Sequence, residues 1–315
     1  MRPLRIGTRG SELALWQARH VAERLASLPG APPTELVEIR TEGDRITDVP
    51  LTQVSGKDFF TREIEQALLG AAVDLAVHSL KDLATVMPEG LILAAVLERE
   101  DARDALVGGA SGGLDALPGG SRVGTSSLRR RALIARWRPD LELLDLRGNV
   151  PTRVRRVDEG QFDAIVLAAA GIKRLGLLNR VSDFLPMERI LPAPGQGAIA
   201  VQARADDLET RRWVEPLEDP ATRFATAAER ALLRRLEGGC QVPVGAFGFV
   251  DGTRLTLSGV VCSLDGRQAV EGRLEGAATD ASALGLALAE DLLRRGAGDI
   301  LAAVRGVSGA SRDGR

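Results

Sequence analysis

Cysteine and histidine are scarce in this 315-residue chain, which has two of each. Two thiols cannot staple a disulfide framework, and with His20 and His78 they leave too few ligands for a zinc site, so the expected metal is none. Aromatic residues make up 3% of the sequence, leaving little to stack on the bases of a nucleic acid. The positive surplus such a binder needs is missing as well, since the net charge is −2. No run of about 18 apolar residues occurs, which excludes a membrane-spanning helix. The chain opens Met1-Arg-Pro-Leu-Arg-Ile-Gly7 without a long apolar leader, so cytoplasm is the expected compartment. Lysine is rare too: of 41 basic residues, three are lysine, namely Lys57, Lys81 and Lys173. Unless chance placed them, these mark sites where a compact ammonium serves better than a planar guanidinium.

What is present is ordinary for a globular protein, with 44% hydrophobic and 27% charged residues. The length exceeds what one core organises, which implies two or three domains. Residues 4–7 read as a strand that feeds Gly7-Thr-Arg-Gly-Ser11 and then a helix, Glu12 to Ala26, with apolar residues near the 3.6 period. A strand from Thr34 to Arg40 follows. Residues 45–58 are polar and irregular and read as a mobile loop over Gly56-Lys57-Asp58. A helix from about Phe60 to Leu69 and a strand from Ala72 to Val77 deliver His78-Ser79-Leu80-Lys81-Asp82 at the strand's carboxyl end. That alternation implies a mostly parallel sheet, and ligands of such sheets sit at strand carboxyl ends.

The pattern then restarts. Arg122-Val-Gly-Thr-Ser-Ser-Leu128 echoes Arg5-Ile-Gly-Thr-Arg-Gly-Ser11, a weak internal repeat that implies two similar lobes with a cleft between them. Charged Glu98 to Asp104 and Leu191-Pro-Ala-Pro-Gly-Gln-Gly197 read as two crossings between the lobes. From about 220 the chain reads as a further unit: a helix over Thr226–Leu236, antiparallel strands from 244 to 275, and a helix from about Ser282 to Arg295. The tail from Gly306 reads as disordered.

Several residues stand out chemically. Cys240 follows Gly238-Gly239, glycines able to stop a helix, so the thiol sits on a short uncrowded loop. Spacing alone leaves it between a bonded thiol and a buried structural one; Cys262, in an apolar β-branched run, reads as core. Thr125-Ser-Ser127 can cap a helix whose first turn carries Arg129 and Arg130. Cations there oppose the helix dipole unless an anion joins them, the alternative being a solvated face. Arg131 reads as surface. Arg147, Arg153 and Arg9 flank equivalent helix starts, and several guanidinium forks in one cleft suit a polycarboxylate. Asp82 closes a strand beside Lys81, where its carboxylate can hold an N–H donor or a developing cation, or simply form a surface pair. His78 reads as an orienting neighbour rather than a base.

These stretches together resemble the porphobilinogen deaminase family over nearly the whole chain. The matching residues include Thr8-Arg9-Gly-Ser11, Ala14-Leu-Trp-Gln17, Gly43-Asp44, Gly56-Lys57, Val77-His-Ser-Leu-Lys-Asp82, Val123-Gly-Thr-Ser-Ser-Leu-Arg-Arg130, Leu146-Arg-Gly-Asn149, Thr152-Arg153, Ala170-Gly-Ile-Lys-Arg174, Gly195-Gln-Gly197 and Glu237-Gly-Gly-Cys-Gln-Val-Pro243. The resemblance implies an α/β fold: two periplasmic-binding-protein-like lobes with a central cleft, 1–98 with 198–218 and 99–197, then a smaller α+β domain, 219–305, carrying the cofactor cysteine. It implies a dipyrromethane cofactor, built from the enzyme's own substrate and bonded to Cys240 by a thioether. Four porphobilinogen units would be joined head to tail with loss of ammonia, each through an azafulvenium cation that Asp82 can stabilise, and 1-hydroxymethylbilane would be released by hydrolysis. By position, Lys81, Ser79, Asp82, Thr125, Ser127, Arg129 and Arg130 would hold the cofactor. Arg9, Ser11, Gln17, Lys57, Phe60, Arg147, Arg153 and Arg174 would bind substrate or the growing chain. A monomer without membrane or nucleic-acid partners is implied. Gln53 replaces a lysine common in relatives, and Asp58-Phe59-Phe60 replaces Gly-Leu-Phe. A plain solute-binding protein and a nucleic-acid binder are the competing classes: the third domain with its loop cysteine disfavours the first, the charge balance the second.

Overall fold

The structure is a computed structural model and describes residues 2–45, 61–109, 112–236 and 242–310. Gln53, Lys57, Asp58, Phe60 and Cys240 lie outside the described residues, as does the stretch 46–58 of the expected loop.

The chain begins with β1 (Leu4–Thr8) and α1 (Glu12–Ala26). Ser11 caps α1, its hydroxyl accepting from the Ala14 amide at 3.3 Å, and Gln17, Ala18, Val21 and Leu25 form the buried stripe. β2 (Thr34–Glu38), the short α2 (Glu42–Arg45), α3 (Arg62–Leu69), β3 (Leu75–Ser79) and β4 (Leu91–Val96) follow. A 3-10 turn, Leu80–Asp82, leaves β3 directly. Next come β5 (Asp104–Gly108), β6 (Arg122–Gly124), α4 (Leu128–Trp137), β7 (Glu142–Leu144), α5 (Val150–Asp158), β8 (Ala164–Ala168), α6 (Ala169–Arg174) and β9 (Val181–Leu185). Ser127 caps α4 as Ser11 caps α1, and Asn149 caps α5, with Pro151 in its first turn. The chain returns through β10 (Ile199–Arg204) and α7 (Leu208–Val214). It ends in α8 (Pro220–Arg235), β11 (Val244–Asp251), β12 (Arg254–Cys262), β13 (Ala269–Ala277), α9 (Ala281–Leu292) and α10 (Gly298–Ala310).

Two five-stranded sheets have the same plan: β2-β1-β3-β10-β4 and β7-β6-β8-β5-β9. In each, the strand in fourth place runs antiparallel to its neighbours. β1 and β6, the strands that carry the sequence echo, hold equivalent second places and pair in parallel on both sides. The third sheet is an antiparallel meander, β11-β12-β13, with α8 and α9 packed through Leu232, Leu288 and Leu292. Val260 and Cys262 of β12 share a core with Ala132, Leu133 and Ile134 of α4, so this unit is anchored on the second lobe. The Cys262 thiol is buried and pushed up to about 11 by that burial, as suits a core residue.

Two expectations need correction. The helix before Cys240 starts at Pro220, six residues before Thr226, because Asp219 caps it by accepting from the Thr222 amide at 2.7 Å. The tail is not disordered from Gly306: α10 carries helix to Ala310, with Ile300, Leu301 and Val304 buried. No helix among the described residues is long and apolar enough to cross a membrane.

Candidate active site

The carboxyl ends of β1 and β3 open into a pocket of about 70 Å³ lined by Arg9, Ser11, Gln17, Thr61, His78, Ser79 and Asp82. Five residues expected from the sequence thus meet in one place: Arg9, Ser11, Gln17, Ser79 and Asp82. Gln17, on the buried stripe of α1, donates to the Ser79 hydroxyl at 2.9 Å and fixes both side chains at the pocket wall. Burial pushes His78 down to about 4, so it is neutral, and its Nε2 pairs with Gln202 Oε1 at 3.2 Å. His78 is thereby held against Gln202 at the back of the pocket. A larger cavity, about 540 Å³, lies between α4 and the third sheet, and none of the expected residues lines it.

Across the cleft, Arg129 and Arg130 are 3% and 6% exposed, which rules out the solvated-face alternative. Both are gripped by Asp104, the fully buried first residue of β5. Arg129 Nη1 donates to its Oδ2 at 2.8 Å, and Arg130 Nε and Nη2 donate to its Oδ1 at 3.0 and 2.8 Å. Burial alone would raise the Asp104 carboxyl, but the two guanidiniums hold it well below the usual range. Arg129 Nε is buried with no partner. Thr125 and Ser127 each accept a backbone N–H and keep the hydroxyl proton to donate: Thr125 Oγ1 accepts from the Ser127 amide at 3.3 Å and Ser127 Oγ from the Arg130 amide at 3.4 Å. They shape the loop that presents the arginines.

Lys81 reaches toward this pair from the first lobe, its Nζ donating to Gln196 Oε1 at 3.3 Å. Burial, then the charge of Arg130, push its ammonium down to about 8. Arg153, on α5, is pushed down to about 10 by burial and by neighbouring Arg130 and Arg147, with Asp82 opposing. Lys81 thus feels both carboxylates, Asp82 and Asp104, together with Arg129 and Arg130, while Arg153 feels Asp82 together with Arg130 and Arg147. Buried charge demands compensation. An excess of forked and ammonium donors, one of them orphaned, fits a ligand bearing several carboxylates, and the acetate and propionate arms of a dipyrromethane are of that kind.

Arg174 sits where the lobes touch. Its Nη2 donates to the Gly197 carbonyl at 2.7 Å, its guanidinium lies 5.6 Å from the centre of the Trp16 ring on α1, and burial pushes it down to about 10. The crossings are clamped from the third unit. Glu229 of α8, fully buried, accepts from Arg99 at 2.6 Å, from the Gly195 amide at 2.7 Å and from the Gly248 amide at 2.7 Å. The next residue, Arg230, donates to the carbonyls of Leu83 and Ala84, just past Asp82, at 2.9 and 2.5 Å. The helix that leads toward Cys240 is therefore docked on the turn that carries Asp82.

Sequence reasoning missed Asp104, Gln196 as a contact, Glu229 and the Trp16–Arg174 stack. For Asp104 a signal existed: an acid at the head of the apolar run Ala105-Leu-Val107 enters a strand and must find a cation. Comparisons with known proteins match two stretches of the chain. Residues 4–212 match the family model described as "Porphobilinogen deaminase, dipyromethane cofactor binding domain", and residues 224–294 match "Porphobilinogen deaminase, C-terminal domain". The porphobilinogen deaminase of Geobacter sulfurreducens is 50% identical over 303 residues, covering 96% of this chain and 94% of that protein. That of Syntrophobacter fumaroxidans is 51% identical over 301 residues, covering 95% and 97%. Among solved structures, the methionine-binding protein MetQ aligns with a TM-score of 0.44 at 14% identity over 68% of this chain and 89% of its own. With both units matched and half the residues identical over nearly full length, this chain belongs to the porphobilinogen deaminase family.

Proposed function

We propose that the chain is a transferase of tetrapyrrole biosynthesis that joins four porphobilinogen units head to tail on a dipyrromethane held by Cys240, releasing ammonia at each step and 1-hydroxymethylbilane at the end. The observation that carries this reading is the set of cations gathered where the lobes meet: buried Arg129 and Arg130 on Asp104, with half-buried Lys81 and Arg153 within the field of Asp82. When bound, the dipyrromethane supplies the free pyrrole carbon to which the first unit is joined. Lys81, Arg129 and Arg130 are its carboxylate holders, on loops shaped by Thr125 and Ser127. Arg9, Ser11 and Gln17 line the substrate side of the pocket, and Arg147, Arg153 and Arg174 bind acid side chains of substrate or product. Lys57 and Phe60, which precede pocket residue Thr61, belong to the same substrate set.

Asp82 is the catalytic residue. Its carboxylate lines the pocket with Arg9 and lies within the field of Lys81 and Arg153, so it accepts the pyrrole N–H and offsets positive charge as the substrate's C–N bond breaks. Ser79, held by Gln17, keeps the neighbouring wall polar. The boundaries 1–98 with 198–218, 99–197 and 219–305 belong to this proposal and are supported by the two crossings at Arg99 and Gly195. A cytoplasmic monomer is part of it as well.

The test is the intact mass of the purified protein beside that of Cys240→Ser. Wild type should exceed its sequence mass by two linked pyrrole units and the variant should not. A wild type of bare sequence mass that gains nothing on incubation with porphobilinogen overturns the reading.

A further inference from the structure

The motif Gly195-Gln-Gly197 lies on the return crossing, and the structure shows why it has this form. Gly195 has φ +76°, and a Cβ there would stand 3.2 Å from the Lys81 amide nitrogen and 3.0 Å from Leu80 Cγ. Gly197 has φ +90°, and a Cβ there would stand 2.3 Å from the Glu100 carbonyl oxygen. Glycine at both positions lets the chain thread between the Lys81 turn of the first lobe and the outgoing crossing. Between them Gln196 is fully buried. Its amide is committed in both directions. Nε2 donates to the Ala102 carbonyl at 2.7 Å and to Asp104 Oδ1 at 2.8 Å. Those two acceptors fix the amide's orientation and turn Oε1 toward Lys81. Its backbone carbonyl accepts from Arg99 Nε at 2.8 Å, which ties the residue to the clamp at Glu229.

We propose that Gln196 is the positioning residue of the cofactor site: one amide spans the lobe boundary, tying the Lys81 ammonium to the carboxylate that orients Arg129 and Arg130. The ammonium from one lobe and the guanidiniums from the other are thereby presented as one set at fixed spacing. The relay runs Lys81 to Gln196 to Asp104 to Arg129 and Arg130, with no covalent connection between the lobes other than the crossings it sits on. A carboxylate ligand laid across the boundary meets donors already aligned, which lowers the ordering cost of binding. This inference deepens the proposed reading and rests on it for the identity of the ligand, but the placement of Lys81 is testable without any ligand.

The chain's three lysines make the test direct. In full-length protein carrying Cys240→Ser, trace acylation with acetic anhydride is read by peptide mass, with Lys173 as the internal reference. The charges facing Lys81 are Arg130, Asp82, Asp104 and Arg129, all retained in the variants. Gln196→Met keeps the volume but offers no acceptor, so Lys81 should acylate about fivefold faster relative to Lys173 at pH 7. Gln196→Glu gives up the Nε2 bonds to Ala102 and Asp104 but keeps an acceptor for Lys81 and adds negative charge beside its ammonium, so acylation should slow below wild type. A packing role alone predicts no such ordering. An unchanged Lys81 to Lys173 ratio in Gln196→Met at wild-type melting temperature overturns the proposal. Should the Met variant fail to fold, an unslowed ratio in Gln196→Glu overturns it instead. Failure of the function reading is separate, because that appears as a wild type without added mass.

Discussion

Replacing Asp104 by asparagine removes the carboxylate that Arg129 and Arg130 share while keeping the side chain's shape. The Asp104 side chain is 0% exposed and its two partners 4% and 8%, so neither cation can turn to water without opening the lobe. Removing one partner of a buried ion pair costs about 3–5 kcal/mol, because the charge left behind stays desolvated. Two cations are stranded here, which places the cost near about 5 kcal/mol. With a urea slope of about 2–3 kcal/mol per molar, the unfolding midpoint should fall by about 2 M. Trp137, at the end of α4, reports on the same lobe by fluorescence. The sign of the pH dependence is fixed. The folded Asp104 pKa is depressed, so its contribution is fully present above the ordinary carboxyl value of 3.8 and is lost as pH falls through the lower folded value. The gap between wild type and variant should therefore stay constant from about pH 5 to 8 and close only in stronger acid. A gap under about 1 kcal/mol, or one that shrinks across that neutral window, refutes the assignment of Asp104 as the common anchor.

Lys81→Met, made in the Cys240→Ser background, should stabilise the chain at pH 7 by about 1–3 kcal/mol in thermal melts, since it removes a cation held below its ordinary value of 10.5. The parent should in turn gain stability as pH rises from about 8 to 10.5, where the unfolded chain holds the proton and the fold does not; no gain would count against a desolvated, half-buried ammonium. Glu229→Gln leaves Arg99, 11% exposed, without its carboxylate and should lower the melting temperature by about 10 °C. Gly197→Ala sets a methyl against the Glu100 carbonyl at positive φ and should cost about 3 kcal/mol or more, read as a lowered urea midpoint.

Local chemistry made much of this architecture legible. Capping serines after Gly-Thr pairs marked the two helix starts, and the echo between Arg5-Ile-Gly-Thr and Arg122-Val-Gly-Thr marked two strands that hold the same place in twin sheets. His78 to Asp82 was placed correctly at a strand's carboxyl end because strand and turn are encoded within a few residues. What stayed hidden is long-range. Gln196 meets Asp104 across 92 residues and Lys81 across 115, and Glu229 meets Arg99 across 130. No periodicity records such pairs. Strand direction was equally opaque: nothing in Ile199–Arg204 or Asp104–Gly108 says that these strands run against their neighbours, because burial on both faces gives the same apolar run in either direction.

The place of β10 has a consequence for how the protein is made. β3 and β4 do not pair with each other; β10 lies between them and bonds to both, although it follows β4 by about a hundred residues of chain. As the polypeptide leaves the ribosome, the first lobe begins first yet waits with a slot in its sheet until the second lobe has been synthesised. The second lobe has all five of its strands by Leu185 and can close while the first still presents two bare strand edges. Of the two lobes, the one that starts the chain is the later to receive all its strands, and a nascent chain released before Arg204 carries an open sheet ready to pair with a stranger.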